Sequence, residues 1–337
     1  MITHLRKINF CLSIIVICIV VLAVSLIVAA DEKPEYNLRF GGSDPIDGLE
    51  DQSNVMFIKL AEEKSNGRIK IEYFPSDQLG NEKEQIEGMQ AGSQDFFSDP
   101  LVWYSAHVDD FKILSFGYIF RNREHLDKFL YSPVFEGMTE SLASKSGIRI
   151  LAAGHRTPRI LFARKPILSL EDIQGMKMRC PPIEMFVLLW EALGTEPTQV
   201  AWTESYLALR QGVADGIEAS AAVCYHMRHH EVCPYLMLTD HMMDTQHIAI
   251  REATYQELPE ELQRILVEAA QESMIWYSKE ADKSEKEYFA KMIQEGTTII
   301  QFNMDPWKER VANSVKELED KGGYWTKGLA EQINQIK

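Results

Sequence analysis

Residues 173–182 read Ile-Gln-Gly-Met-Lys-Met-Arg-Cys-Pro-Pro, with apolar and basic side chains alternating over positions 176–179. Successive side chains of a β-strand point to opposite faces, so we predict a short strand with Lys177 and Arg179 on the same face. The two prolines must end that strand directly after Cys180. The sequence therefore places an arginine at the carboxyl end of a strand, at the point where the chain has to turn.

Similar short strands alternate with amphipathic helices through most of the chain. The predicted strands are 36–40, 68–74, 95–98, 147–152, 159–163, 176–179, 199–201 and 216–218, and the predicted helices are 49–64, 81–90, 123–130, 134–144, 183–193 and 205–211. Strands separated by single helices indicate βαβ units, an α/β fold and mostly parallel sheets. A chain of 337 residues has room for two such domains.

The C-terminal third has a different character. A helical pattern begins at Leu258-Pro259 and continues without a strong break to Glu295. It covers about 36 residues, or ~54 Å at 1.5 Å per residue, which is longer than one small domain. We expect this helix to span two lobes or to bend around one.

Charge and the N-terminus restrict the functional class. The chain has 35 basic and 50 acidic residues, a net charge of −15, which argues against a nucleic-acid partner. Arg6 and Lys7 precede an apolar run at 10–30 that ends in Val-Ala-Ala, typical of a secretory signal peptide cleaved after Ala30. An uncleaved membrane anchor is the alternative, because the apolar run is longer than in most signals. We expect an exported, periplasmic protein.

Two motifs suggest other chemistry. His226 and His230 are four residues apart, a spacing that could hold a metal on a helix, but no second pair of ligands has a matching spacing. A polar surface helix explains them better, so we expect no metal. Cys224 and Cys233 could form a disulfide in an exported protein, although their separation does not require one. We find no nucleotide-binding or catalytic motif and expect no cofactor.

The polar loops that follow the strands are better interpreted as the lining of a ligand cleft than as a nucleotide-binding or catalytic motif. Gly41-Gly42-Ser43-Asp44 comes after the first strand, where open α/β sheets bind ligands. Arg159 begins one predicted strand and Arg179 ends the next. A guanidinium at such an edge is a planar fork for a carboxylate, and a sulfonate would satisfy the same fork.

Several motifs in a fixed order resemble one family. They are Lys165-Pro166-Ile167, the segment 169–179 with the pattern S-x-x-D-x-x-G-x-K-x-R, Leu193-Gly194, the segment 206–218 with the pattern Y-x-A-L-x-x-G-x-x-D-G-x-E, and the upstream segment Tyr73–Phe96. Together they resemble the solute-binding subunits of tripartite ATP-independent periplasmic (TRAP) transporters. The resemblance covers nearly the whole chain after the signal peptide.

The resemblance implies a bilobed periplasmic-binding-protein fold with two α/β domains, hinge strands and a long bridging helix. By similarity, one lobe comprises 31–156 plus 245–284 and the other comprises 157–244 plus 285–337. A small organic acid would bind between the lobes and be delivered to membrane subunits driven by an ion gradient. A nucleotide is not needed, and we expect a monomer.

The resemblance also assigns site residues. Arg179 corresponds to the arginine that pairs with the ligand carboxylate, and Arg159 corresponds to a second arginine that a subset of members use. The chain departs from many relatives in having Ala219-Ser220 after D-G-x-E, and from some in having Asp99 near a position where they carry glutamate. The further candidates for the pocket wall are Asp99, Trp103, Trp202, Glu218 and Ser220.

Two alternatives remain. The receptor of an ATP-driven importer can share the bilobed plan. An exported hydrolase or lyase would use Asp99, His155 or Glu218 as its acid or base, although nothing in the sequence demands one.

Overall fold

The computed structural model describes residues 34–337, so the predicted signal peptide lies outside the described part of the chain. The strands form one five-stranded and one six-stranded sheet. The first sheet contains β1 (Tyr36–Gly42), β2 (Ile69–Phe74), β3 (Phe96–Ser98), β4 (Ile148–His155) and β10 (Thr245–Arg251). The second contains β5 (Arg159–Ala163), β6 (Lys177–Cys180), β7 (Glu196–Gln199), β8 (Gly216–Ala219), β9 (Tyr235–Met242) and β11 (Thr298–Ile300). We call the parts built on these sheets the first and the second lobe.

The sheets are mostly parallel, as expected, but each contains one strand of the opposite direction. The strand orders are β2-β1-β3-β10-β4 and β11-β9-β5-β8-β6-β7. β10 runs antiparallel to both β3 and β4, and β5 runs antiparallel to both β8 and β9. In each sheet the antiparallel strand is the one that the chain enters directly after crossing from the other lobe. The remaining neighbours are parallel, as the βαβ pattern predicts.

Helices cover the sheets. They are α1 (Leu49–Lys64), α2 (Glu82–Ala91), α3 (Arg123–Leu130), α4 (Pro133–Ser146), α5 (Glu184–Ala192), α6 (Ser205–Gln211), α7 (Ala221–His226), α8 (Glu252–Glu257), α9 (Glu260–Gln294), α10 (Asp305–Lys321) and α11 (Leu329–Asn334). The start of α2 is fixed by a capping box, in which Asn81 accepts from the Glu84 amide and Glu84 accepts from the Asn81 amide. This cap holds Glu82, the first residue of α2, at the mouth of the space between the lobes.

The long helix α9 bridges the two lobes, as its length predicts. Leu262, Leu266 and Ala270 are buried in the core of the first lobe against α1 and β4. Met292, near the other end, is buried in the core of the second lobe. No helix within residues 34–337 is long and apolar enough to cross a membrane.

The chain crosses between the sheets at 156–158 and again at 243–244, and these two segments lie side by side. The amide of Arg156 donates to the carbonyl of Asp244 at 2.9 Å. The C-terminal segment returns to the first lobe, where the Thr326 amide donates to Asp110 at 2.6 Å and Arg121 donates to the Ile336 carbonyl at 2.6 Å. The crossings place charged side chains directly beside the cleft between the lobes.

Candidate functional site

The cleft between the lobes is narrow, with a cavity volume of about 50 Å³. Six of the predicted site residues line it: Arg159, Arg179, Asp99, Trp103, Trp202 and Ser220. The seventh, Glu218, lies behind Arg159 and is fully buried. Ser43 and Asp44, from the loop after β1, also line the cleft.

Arg179 is buried but has no acidic partner among the residues that the structure describes. Its side chain comes from the end of β6 and is 2% exposed. Nε and Nη2 donate to the carbonyl of Val200 at 3.0 and 2.7 Å, and the guanidinium lies over the ring of Trp202 at 5.3 Å. Among residues 34–337 no carboxylate forms a salt bridge with it. Burial lowers the pKa of Arg179 to about 10, because nearby acids offset only part of the desolvation.

Arg159 is also buried, but the protein neutralises it. Its Nη2 donates to Glu218 Oε1 at 2.9 Å, its Nε contacts the other oxygen of Glu218, and its Nη1 donates to Asp244 at 2.6 Å. Burial alone would raise the pKa of Glu218, but Arg159 and His241 outweigh it and lower that pKa. The fork of Arg159 is therefore occupied by the chain's own carboxylates.

A third arginine of the cleft, Arg156, was not predicted. It lies on the first crossing and bonds both carboxylate oxygens of Asp44 at 3.1 Å. It also lies 3.0 Å from Glu50, which accepts a hydrogen bond from Tyr277 on α9 at 2.8 Å. Arg156 thus ties the crossing to the first lobe and to the bridging helix, and it is paired with two carboxylates.

Acidic side chains form the first-lobe wall of the cleft. Asp44, Glu82 and Asp99 all line it and are nearly buried. Burial raises the pKa of Asp44 to about 7 and that of Glu82 to about 7, and it raises the pKa of Asp99 well above its usual range. The Asp99 Oδ2 atom is buried without a hydrogen-bond partner among the described residues.

The backbone holds Asp99 in place. It follows β3 and precedes Pro100, and the His247 ring on β10 bonds its carbonyl through Nδ1. A carbonyl only accepts, so Nδ1 carries the proton, and the Tyr104 hydroxyl donates to Nε2 at 2.6 Å. Burial lowers the pKa of His247 to about 3, which keeps the ring neutral.

The acid and base proposed for a hydrolase do not assemble. His155 bonds Asp127 at 2.7 Å, lies 3.3 Å from Asp282, and is not part of the cleft wall. Glu218 is paired with Arg159, and Asp99 lines the cleft with its Oδ2 atom unbonded among the described residues.

The histidine and cysteine motifs have structural contacts. His226 Nε2 lies 2.8 Å from the Tyr288 hydroxyl and His230 Nε2 lies 2.7 Å from Glu295, both at the second-lobe end of α9. Within the described ranges no cluster of potential metal ligands occurs. Cys224 and Cys233 are buried and free, so they do not form the disulfide that their location would allow.

The sequence analysis marked the loop that contains Asp44 but missed Arg156, Asp244 and Glu82. Arg156 follows β4 and Asp244 lies between β9 and β10, while Glu82 opens α2. The rule that ligands bind beyond the ends of strands would have marked Arg156 and Asp244 as candidates too.

Comparisons with known proteins agree with this architecture. The family model DctP, bacterial extracellular solute-binding protein, family 7, matches residues 46–321. A solute-binding protein of Roseobacter denitrificans is 34% identical over 218 residues, 63% of this chain and 66% of the relative. The sialic acid-binding periplasmic protein SiaP of Vibrio cholerae is 24% identical over 305 residues, 90% of this chain and 95% of the relative.

A solved structure is similar over almost its whole length. It is a TRAP periplasmic solute-binding protein of Roseobacter denitrificans with bound L-galactonate, and it aligns with a TM-score of 0.84 at 26% identity. The alignment covers 90% of this chain and 99% of that one. The two chains share the bilobed α/β fold.

Proposed function

The chain belongs to family 7 of the bacterial extracellular solute-binding proteins, the binding subunits of TRAP transporters, and on that premise we propose that it captures a small carboxylic acid between its lobes. The acid is then delivered, unchanged, to the membrane subunits of a transporter driven by an ion gradient. The protein acts in the periplasm as a monomer and uses no nucleotide.

One observation carries this proposal: Arg179 is a buried guanidinium without a carboxylate partner in the described chain. Taking a charge out of water is costly unless a counter-charge meets it. A ligand carboxylate in the cleft supplies that counter-charge and two parallel hydrogen bonds. We propose this role for Arg179, with Asp99, Trp103, Trp202 and Ser220 contacting the rest of the ligand.

The role of Arg159 is different. Because Glu218 and Asp244 already hold its fork, we propose that it shapes and orders the cleft and does not grip the ligand carboxylate. In this proposal Arg159 and Glu218 contribute to the site as a salt-bridged pair that shapes the cleft.

We infer that the ligand is a sugar acid. The relative of known structure carries L-galactonate and the Vibrio relative is named for sialic acid, and each of these ligands combines a carboxylate with several hydroxyl groups. A sulfonate would fit the guanidinium, but these ligands favour a carboxylate. The hydroxyl groups match a cleft wall rich in carboxyl oxygens, which accept hydrogen bonds.

The lobes close on the ligand as two bodies. We propose the first lobe as 31–156 plus 245–284 and the second as 157–244 plus 285–337, with hinges at the crossings and in α9. The C-terminal stretch then touches both lobes. Ligand between such lobes stabilises the closed form.

The proposal is tested by a thermal-shift and calorimetric screen with L-galactonate, sialic acid and D-glucuronate, using D-galactose as the neutral control. A ligand at 100 times its Kd stabilises the native state by about 2.7 kcal/mol. We expect at least one sugar acid, and not galactose, to raise the melting temperature. Equal shifts with galactose, or turnover of the bound acid, would overturn the proposal. Neighbouring genes for two membrane subunits without an ATPase distinguish a TRAP receptor from that of an ATP-driven importer.

A further inference from the structure

Buried carboxyl groups outnumber arginines around the cleft. Arg156 is paired with Asp44 and Glu50, and Arg159 is paired with Glu218 and Asp244. Each of these two arginines is therefore balanced by two carboxylates, and neither has charge left for a second anion. Of the three arginines that line the cleft, Arg179 is the one without a carboxylate partner among the described residues.

The first-lobe wall of the cleft carries acids that are not salt-bridged to any of the described residues. Glu82 and Asp99 form no salt bridge within residues 34–337, and both line the cleft. Asp99 is 5% exposed, and its Oδ2 atom has no hydrogen-bond partner there. A buried acceptor without a partner is costly, so the site is complete only when a ligand donates to it.

The charges of these acids act on one another. Burial raises the pKa of Asp99, Asp44 and Glu82 raise it further, and Arg156 lowers it. Arg179 lowers the pKa of Glu82, which places Glu82 within range of the ligand-binding charge. One anionic group at Arg179 is therefore compensated, whereas a second anionic group at the first-lobe wall would meet no unpaired arginine among the described residues.

We propose that the cleft selects sugar acids with a single carboxylate and rejects the corresponding dicarboxylates: aldonates or uronates bind, and aldarates do not. The carboxylate lies at Arg179, and hydroxyl groups at the other end donate to Asp99 and Glu82. This selectivity rests on the proposed function and adds the charge of the ligand to it.

The cleft therefore requires a carboxylate at one end of the ligand and a hydrogen-bond donor at the other. A terminal hydroxyl group can donate to the Asp99 carboxyl group, while a terminal carboxylate cannot. A terminal carboxylate would also be buried without a counter-charge, which costs several kcal/mol. At about 1.4 kcal/mol per tenfold change, we expect roughly a 100-fold or greater preference for the monocarboxylate.

L-Galactonate and galactarate form a matched pair, because they share one carbon skeleton and differ only in the terminal CH₂OH or carboxylate. Calorimetric titration at pH 7.5 should show galactarate binding at least about 100-fold more weakly. D-Gluconate and D-glucarate provide a second linear pair.

Asp99→Asn and Glu82→Gln each remove one acid from the wall, and we expect either variant to reduce the preference about tenfold. Asp320→Asn, on the exposed face of α10, is the matched control and should leave the preference unchanged.

The outcomes separate the two proposals. If galactarate binds within threefold of galactonate, or if Asp99→Asn and Glu82→Gln both leave the preference intact, the selectivity is wrong and the receptor function stands. If a non-carboxylate ligand alone is bound, the proposed function and this selectivity both fail. If an aldarate is preferred in either pair, the acidic wall does not face the ligand as inferred.

Discussion

Arg159 and Arg179 lie in the same lobe, line the same cleft and are both nearly buried, yet their surroundings differ. Arg159 lies 5.3 Å from the ring of Phe186 and Arg179 lies 5.3 Å from the ring of Trp202, so their aromatic contacts are alike. Two carboxylates bind Arg159, and a backbone carbonyl is the only hydrogen-bond acceptor of Arg179 among the described residues. Burial of an arginine therefore does not by itself indicate a ligand site, and we propose that the missing counter-charge is the feature that does.

The pKa directions express the same difference. Burial lowers the pKa of both guanidinium groups, but Glu218 and Asp244 overcome this at Arg159 and raise its pKa above the ordinary value. At Arg179 burial dominates, and its pKa falls to about 10. Arg159 is therefore neutralised within the protein, and Arg179 is the guanidinium that we propose to bind the ligand carboxylate.

The largest effect is expected from removing the charge of Arg159. Arg159→Met leaves Glu218 and Asp244 buried without a cation, and breaking a buried pair in this way costs about 3–5 kcal/mol. Urea denaturation of the empty protein should show that loss in the free energy of unfolding. Adding Glu218→Gln to the variant should recover part of it, as coupled neighbours do. A loss below about 1 kcal/mol would mean that the pair is not a structural one.

Arg179→Lys should act on binding instead. A lysine keeps the charge but cannot make two parallel bonds to a carboxylate, and the loss at a desolvated charge pair is about 2–5 kcal/mol. That corresponds to roughly a 30-fold to several-thousand-fold weaker affinity for the sugar acid by calorimetry. The unfolding free energy of the empty protein should change little, and Arg210→Lys, exposed on α6, is the matched control. Binding like that of the wild type would make Arg179 a structural residue.

The acids that face the cleft should make the empty protein less stable as the pH rises from 6.5 to 8. Asp44 and Glu82 have pKa values of about 7 in the folded protein, above the ordinary values near 4 of an unfolded chain. The folded state therefore binds more protons in this range, and its stability is lost as the pH passes through the folded pKa. For these two groups together we expect a loss on the order of 1.5 kcal/mol, to which Asp99 adds, measured by urea denaturation at both pH values.

The decline is measured from pH 6.5 upward because buried histidines have the opposite effect on stability below that pH. Burial lowers the pKa of His229 and of His247 to about 3, so they add stability as the pH rises, but only up to about 6.5. Burial alone would lower the pKa of His155, but Asp127 and Asp282 raise it, and it adds to the loss above pH 6.5. Asp99→Asn should flatten the decline and Asp320→Asn should not. If the free energy of unfolding rose from pH 6.5 to 8, the acids of the first-lobe wall would not hold protons in the folded state as inferred.

Much of the fold follows from the sequence because its elements have clear ends. The helices Leu49–Lys64, Arg123–Leu130 and Ser205–Gln211 and the strand Arg159–Ala163 have the predicted limits. For example, Gly212 ends its helix with a φ of 74°, a left-handed conformation that favours glycine. The strand predicted at 199–201 lies instead at Glu196–Gln199.

The strands β9 and β10 and the mixed sheets could not be found from the same pattern. β10 lies between two strands and is buried on both faces, so its sequence has no alternation to reveal it. Its direction depends on the point at which the chain returns to the first lobe, which no local pattern encodes. The bridging helix was predictable because its length alone exceeds one lobe.

The candidate site was predictable at Arg179 and not around Arg159. A strand that ends in an arginine before two prolines is a local signal, and the family motif contains it. The neutralisation of Arg159 depends on Asp244, 85 residues further along the chain, and the acidic wall collects Asp44, Glu82 and Asp99 from separate segments. Only the folded chain brings these charges together, so the sequence could not show which arginine was free.

The smallest expected effect concerns the ring that supports the free arginine. Trp202 is 9% exposed and lies against the guanidinium of Arg179, and a cation–π contact with Trp is the strongest of its kind. Trp202→Phe keeps an aromatic face but weakens the contact and leaves space beside the guanidinium, so Arg179 is held less firmly before the ligand arrives. We expect a loss of about 0.5–1 kcal/mol, which is roughly a two- to fivefold weaker affinity for the sugar acid by calorimetry. Trp276→Phe, in the part of α9 that packs on the core of the first lobe, is the matched control and should leave the affinity unchanged. If Trp202→Phe and Arg179→Lys lost affinity equally, the ring and not the guanidinium would hold the ligand. The missing counter-charge of Arg179 would then not explain ligand binding.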